Sequence, residues 1–125
     1  GGNVKKIYVA GKYDDSNVMN VLHNIREGIA LATYILKQGD IPFCPFLDFM
    51  MVMFDPERKL TSKHFRDYSM VWLEACDELW LLPSWVNSVG CRAEVQRALE
   101  LGMKIKTATK LSGLLKEKFD AQSDS

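Results

Sequence analysis

Apolar residues fall along this chain in two alternating rhythms. Short unbroken runs occur at Lys6 to Ala10 ("KIYVA"), at "IPFCPF", at "DELWLLP" and at "MKIKTA". Each is bounded by glycine, proline or charged residues, which predicts buried strands. Between them the period lengthens. Val18, Val21, Leu22, Ile25, Ile29, Ala32 and Leu36 recur at helical spacing from about Asn17 to Gln38, and Gly39 ends the pattern. A third segment, capped by Thr61 or Ser62, runs to about Ala75. Gly90 to Leu101 predicts another helix, and "KLSGLLKEKF" a last one. "LDFMMVMFDPERKLTS" reads as a connection with one helical turn, and "SWVNSVG" as a loop.

Strands alternating with helices predict a parallel sheet with right-handed crossovers. Continuous apolar strands predict helices on both of its faces. The expected fold class is α/β: a small doubly wound (Rossmann-like or flavodoxin-like) sheet of four to five strands. Ligands in such sheets sit beyond the carboxyl ends of the strands. "AGKYDDS", "PFLDF" and "PSWVNSVG" would gather there.

The chain has 125 residues, enough for one domain, which we place at 6–119. Positions 1–5 read as a tag remnant with a disordered start, and 120–125 as a disordered tail. Sixteen basic and sixteen acidic residues balance, so no charge excess points to polymeric nucleic acid. No apolar run approaches the ~20 residues of a membrane span. Cys44, Cys76 and Cys91 are odd in number and widely spaced, which fits neither a disulfide framework nor a zinc site. A reducing, cytoplasmic compartment is expected, with no metal and no cofactor.

One position breaks the pattern. At ~100° per residue, Cys91, Val95, Ala98, Leu99, Leu101 and Gly102 form an apolar arc, and Glu94 falls inside it. Arg92, Gln96, Arg97 and Glu100 lie outside. Glu94 is either a partly exposed glutamate complementing the helix dipole or a catalytic carboxylate kept ionised by it. Ser88 and Gly90 precede it; a hydroxyl and free N–H groups at a helix start can hold a phosphate, and Ser88 can equally be a plain N-cap. Asp48 follows the second strand and faces the same edge, as a turn residue or as a second carboxylate.

"KIYVAG", "IPFCPF" and "ACDELWLLPSWVNSVGCRAEVQRALELGMKI" together resemble the nucleoside 2-deoxyribosyltransferase-like superfamily, over Lys6 to Ile105. The most specific element is Ser88-x-Gly90-x-x-x-Glu94. The resemblance implies that Glu94 attacks the anomeric carbon of a nucleoside or nucleotide and displaces the base. Water or a second base would then take the sugar. Serine at position 88 resembles the nucleotide N-hydrolases, which implies a nucleoside 5′-monophosphate. Tyr8 and Gly11 match the family's sugar- and base-lining residues.

Two places depart from the family. It carries an aspartate eight residues before the one that opens the third strand; counted back from Asp77, that position is Ser69. Asp67 lies two residues earlier, roughly 200° around a helix, on a face with Glu74, while Ser69 shares a face with Leu73 and Cys76. Asp67 and Asp48 are the candidates for the acid that protonates the leaving base. Lys12 and Asp14 replace small and basic residues in the first loop, leaving Lys12 or Arg92 to supply phosphate charge.

The remaining signals are weaker. Cys91 opens a helix, which favours a thiolate, but its wheel position is apolar. His23 and His64 read as surface or packing residues, and Trp72 and Trp80 as core. Trp85 is a candidate cleft wall. Met50, Met51 and Met53, with Phe46, Phe49 and Phe54, read as core or homodimer packing, or as a lid over a base. The alternative function is a non-catalytic nucleotide-binding module. A purely structural domain is disfavoured by an apolar-side carboxylate.

Overall fold

The computed structural model describes residues 3–45 and 47–107, with 47–49 described by backbone alone. The elements run β1 (Lys6–Ala10), α1 (Val18–Lys37), β2 (Ile41–Phe43), α2 (Leu47–Met53), α3 (Ser62–Glu74), β3 (Glu78–Leu81), a 3-10 turn (Pro83–Asn87), α4 (Val89–Glu100) and β4 (Lys104–Thr107). The expected last helix and tail lie outside the described residues, as do Gly1, Gly2 and Phe46.

Four strands pair in the order β2-β1-β3-β4, all parallel. The fold is thus the small Rossmann-like sheet expected. β1 shows why its residues form a central strand. Ile7 and Val9 point to one face and pack with Leu31 and Ile35 of α1. Tyr8 and Ala10 point to the other and pack with Leu73 of α3 and Cys91 and Ala98 of α4. A strand covered on both faces has no place for polar alternation. The chain leaves β1 toward β2 and leaves β3 toward β4, in opposite directions, so the switch point lies between β1 and β3.

The helix ends carry their own signals. Asn17 accepts from the Met19 N–H at the start of α1, and Thr61 forms a capping box with His64 at the start of α3. Gly39 and Gly102, each one residue past a C-cap, have φ of 101° and 69°, where glycine is favoured.

Several expected details differ. α2 is seven residues long rather than a single turn. The buried line of α1 is Gly28, Leu31 and Ile35, while Val18, Leu22, Ile29 and Leu36 stay exposed. α4 docks along Cys91, Glu94 and Ala98, which turns Leu99 and Leu101 away from the sheet. Trp72 is 44% exposed rather than core; its ring stacks on Phe43 at the edge of the sheet, with centroids 4.8 Å apart. Trp80 is core as expected, and its indole N–H donates to the Glu78 carboxylate at 3.0 Å.

Candidate functional site

The loops after β1 and β3 meet at the switch point. The Leu82 N–H donates to the Ala10 carbonyl at 2.8 Å, and the Lys12 N–H to Ser84 Oγ at 3.0 Å. Gly11 belongs to this junction: a Cβ there would stand 2.6 Å from Leu82 Cδ1 and 3.0 Å from Leu82 Cβ. The two loops enclose a cleft of about 550 Å³ lined by Lys12, Tyr13, Asp14, Asp15, Ser16, Asn87, Ser88 and Val89. Its charge is mixed. The Asp15 carboxylate accepts from the Asn17 N–H (2.8 Å) and from Asn20 Nδ2 (3.1 Å), and these bonds hold its pKa below the ordinary value. Asp15 thus organises the entry to α1, and Lys12 is the cation of the lining.

Ser88 caps α4. Its Oγ accepts from the Cys91 N–H at 3.2 Å. Gly90 sits in the first turn and is exposed; a Cβ there would meet only Ser88 Oγ, at 3.7 Å. Arg92 is exposed and donates to the Val86 carbonyl at 2.6 Å, which ties α4 to the turn before it rather than into the cleft. Trp85 packs against the sheet face that carries Tyr8, outside the cleft lining.

Glu94 lies one turn deeper in α4 than the cleft-lining residues and is 7% exposed. Glu94 is thus turned inward, as its place on the apolar arc predicts, rather than partly exposed at the helix start. Tyr8 of β1 lies against it, itself 0% exposed. The Glu94 carboxylate and the Ser69 hydroxyl are near enough to act on the Tyr8 phenol, but the phenol oxygen is within hydrogen-bonding geometry of neither. Burial first, and the Glu94 charge second, push the phenol far above its ordinary pKa, so it stays protonated. The wheel that put Ser69 beside Leu73 already pointed it inward; missing was any reason to connect it with Tyr8.

Of the two proposed acids, Asp67 does not join this group. Asp67 is exposed and pairs with Lys63 Nζ at 2.6 Å, which holds its carboxyl below the usual range. The side chain of Asp48 lies outside the described residues; its backbone is in α2. The thiols are deactivated by burial, which raises Cys44 and Cys91 to about 12 and Cys76 to about 11. At Cys91 the nearby Glu94 adds to the rise, and the Ser88 hydroxyl opposes it. The helix-start effect is outweighed. Among the described residues no three His, Cys, Asp or Glu side chains gather as metal ligands, and no helix is long and apolar enough to cross a membrane.

Residues 5–108 match a domain family of unknown function, DUF7768. The chain belongs to that family. No curated protein matches it. The DUF7768 match spans β1 through β4, so the cleft, Tyr8, Ser69 and Glu94 are all features of the family domain rather than of an appendage.

Proposed function

We propose that this domain cleaves or exchanges the N-glycosidic bond of a nucleoside 5′-monophosphate, or of a nucleoside, through Glu94. The observation that carries the reading is the carboxylate at 7% exposure in the first half of α4, against Tyr8 and beside a cleft at the switch point. In the proposed step, a Glu94 oxygen bonds to the anomeric carbon and the C–N bond breaks. The electron pair leaves with the base, which takes a proton from an acid or from water. Water, or a second base, then displaces the sugar from the glutamyl ester. Ser88, the N–H groups at the start of α4 and Lys12 hold the 5′ end. The resemblance to the nucleoside 2-deoxyribosyltransferase-like superfamily supports these roles for Glu94, Ser88, Tyr8 and Gly11.

In this reading the protein works as a cytoplasmic homodimer. Met50, Val52, Met53 and Phe54 leave α2 and its exit exposed, with Met53 80% and Phe54 90% accessible, an apolar patch suited to a second copy. A second reading, a nucleotide-binding module without turnover, is favoured by one observation: Glu94 is not among the cleft-lining residues and Asp67 is turned to solvent. A panel of nucleoside 5′-monophosphates and nucleosides, assayed for free-base release and for binding, separates the two. Release from one or more supports the enzyme; binding without release supports the module.

A further inference from the structure

The cleft at the switch point has two walls, and they come from segments far apart in sequence. Lys12, Asp14 and Asp15 follow β1, while Asn87 and Ser88 follow β3 by way of the 3-10 turn. That turn is held together from within. The Trp85 N–H donates to the Leu82 carbonyl at 3.0 Å, and the Ser88 N–H to the Trp85 carbonyl at 3.1 Å. Arg92 fastens its far end to α4 through the Val86 carbonyl, at 2.6 Å. The turn and the start of α4 are therefore one unit. Ser84 stands on that unit, half-buried, and its Oγ accepts from the Lys12 N–H at 3.0 Å, across 72 residues of sequence.

The bond matters because of what Lys12 carries. Lys12 lines the cleft beside Asp14 and Asp15. The Asp15 carboxylate is engaged by the Asn17 N–H and by Asn20 Nδ2, and Asp14 Oδ1 accepts from the Asp15 N–H at 3.0 Å, so both negative charges stay beside the loop. Coulomb energy falls with distance, so an anion is held only where the ammonium is nearer than either carboxylate. The placement of Lys12 counts for more than its presence. One residue back, Leu82 Cδ1 comes within 2.6 Å of where a Gly11 Cβ would stand, and the Leu82 N–H donates to the Ala10 carbonyl at 2.8 Å. Those contacts fix the loop as far as Gly11. The Ser84 hydroxyl carries the fixing on to the residue with the charge. Without that oxygen, a part-buried N–H loses its acceptor, and the loop must move to satisfy it.

We propose that Ser84 is a positioning residue, which holds the Lys12 loop against the turn leading to Ser88 and so sets the Lys12 ammonium toward the phosphate of a nucleoside 5′-monophosphate in the cleft. This rests on the reading of the cleft as the seat of the substrate's 5′ end. Ser84 does not touch the phosphate in this role; it acts through Lys12. It thereby helps to set the preference for a phosphorylated substrate over its nucleoside.

The test is calorimetric binding of the common ribo- and 2′-deoxyribonucleoside 5′-monophosphates, and of their parent nucleosides, to the full chain. The Lys12 amide is followed in parallel by NMR of 15N-labelled protein. For the monophosphate that wild type binds tightest, Ser84→Ala should lose about tenfold in affinity, while the parent nucleoside changes by less than about twofold. The Lys12 amide should exchange with solvent at least about tenfold faster. Ser84→Thr, which keeps the oxygen, should restore both. Lys12→Met should remove the preference for the monophosphate by itself. Adding Ser84→Ala to it should then change affinity by less than about twofold, because the two residues act as one. If Ser84→Ala does not fold, Ser84→Cys keeps the size with a weaker acceptor and should lose affinity in the same direction. A folded Ser84→Ala or Ser84→Cys protein that keeps the wild-type preference for the monophosphate overturns the proposal and leaves the reading of the cleft standing. An equal loss with and without the Lys12 charge does the same. A wild type that binds no monophosphate more tightly than its nucleoside overturns the 5′-phosphate reading, and this proposal with it.

Discussion

Two glutamates are buried among the described residues, and their surroundings differ. Glu78 is 4% exposed in β3, where Lys5 Nζ stands at 3.0 Å and the Trp80 indole N–H at 3.0 Å. Both contacts hold that carboxylate within the fold. Glu94 faces Tyr8, whose proton is held in place by burial. The Tyr8 pKa is raised above the ordinary value of 10.0. Below pH 10 the phenol is protonated in both folded and unfolded chains and favours neither. Above it the unfolded chain ionises first, so stability should fall as pH rises from 10 toward 12. Denaturant melts of wild type and Tyr8→Phe across that range check this; the alkaline loss should be smaller in Tyr8→Phe. The same burial makes the thiols poor nucleophiles. With Cys91 pushed up to about 12, iodoacetamide at pH 8 should label it far more slowly than a free cysteine, by mass spectrometry of the folded protein.

At the scale of elements, α4 carries two duties at once. Ser88 caps it, and Ser88→Ala should cost about 1 kcal/mol of stability in a denaturant melt. If Ser88 also holds the 5′ end of a ligand, the same variant weakens binding of a monophosphate more than of its nucleoside. Gly11→Ala forces a Cβ against Leu82 and should cost about 1–3 kcal/mol, with the cleft loops loosened. Most of this arrangement was legible in the chain. The strands announced themselves because buried parallel strands leave no polar positions. Helix limits followed from Thr61, Ser88 and Gly39. The inward turn of Glu94 followed from its wheel position beside Ala98. What was not legible was tertiary. The wheel of α4 could not say how wide a stripe the sheet would cover, so Leu99 was grouped with the buried set. The apolar residues of α1 were too many for one face, and pattern alone did not select Leu31 and Ile35 over Leu22 and Ile29. Trp72 carried no sign that it would stack on Phe43 at an edge. The meeting of Ser69 with Tyr8 needs two elements 61 residues apart in sequence to be packed first.

For the whole molecule, the parallel sheet places its switch point between β1 and β3, and the cleft opens there. The apolar surface of α2 belongs to this scale too. Phe54→Asp with Met53→Lys should convert a homodimer to monomer in sedimentation velocity while leaving the thermal melt of the domain nearly unchanged, because both side chains are largely exposed. A wild type that sediments as a monomer at every concentration would remove the dimer from the account. The central claim is chemical, and the measurement that reaches it most directly is the initial rate of free-base release by wild type and by Glu94→Gln. It is made on the substrate that scores highest in the nucleotide and nucleoside panel, with ligand affinity measured on the same samples. The account predicts that Glu94→Gln loses release by at least about a thousandfold, while affinity is kept or improved as a buried charge near the ligand is removed. Release by Glu94→Gln at the wild-type rate would contradict it.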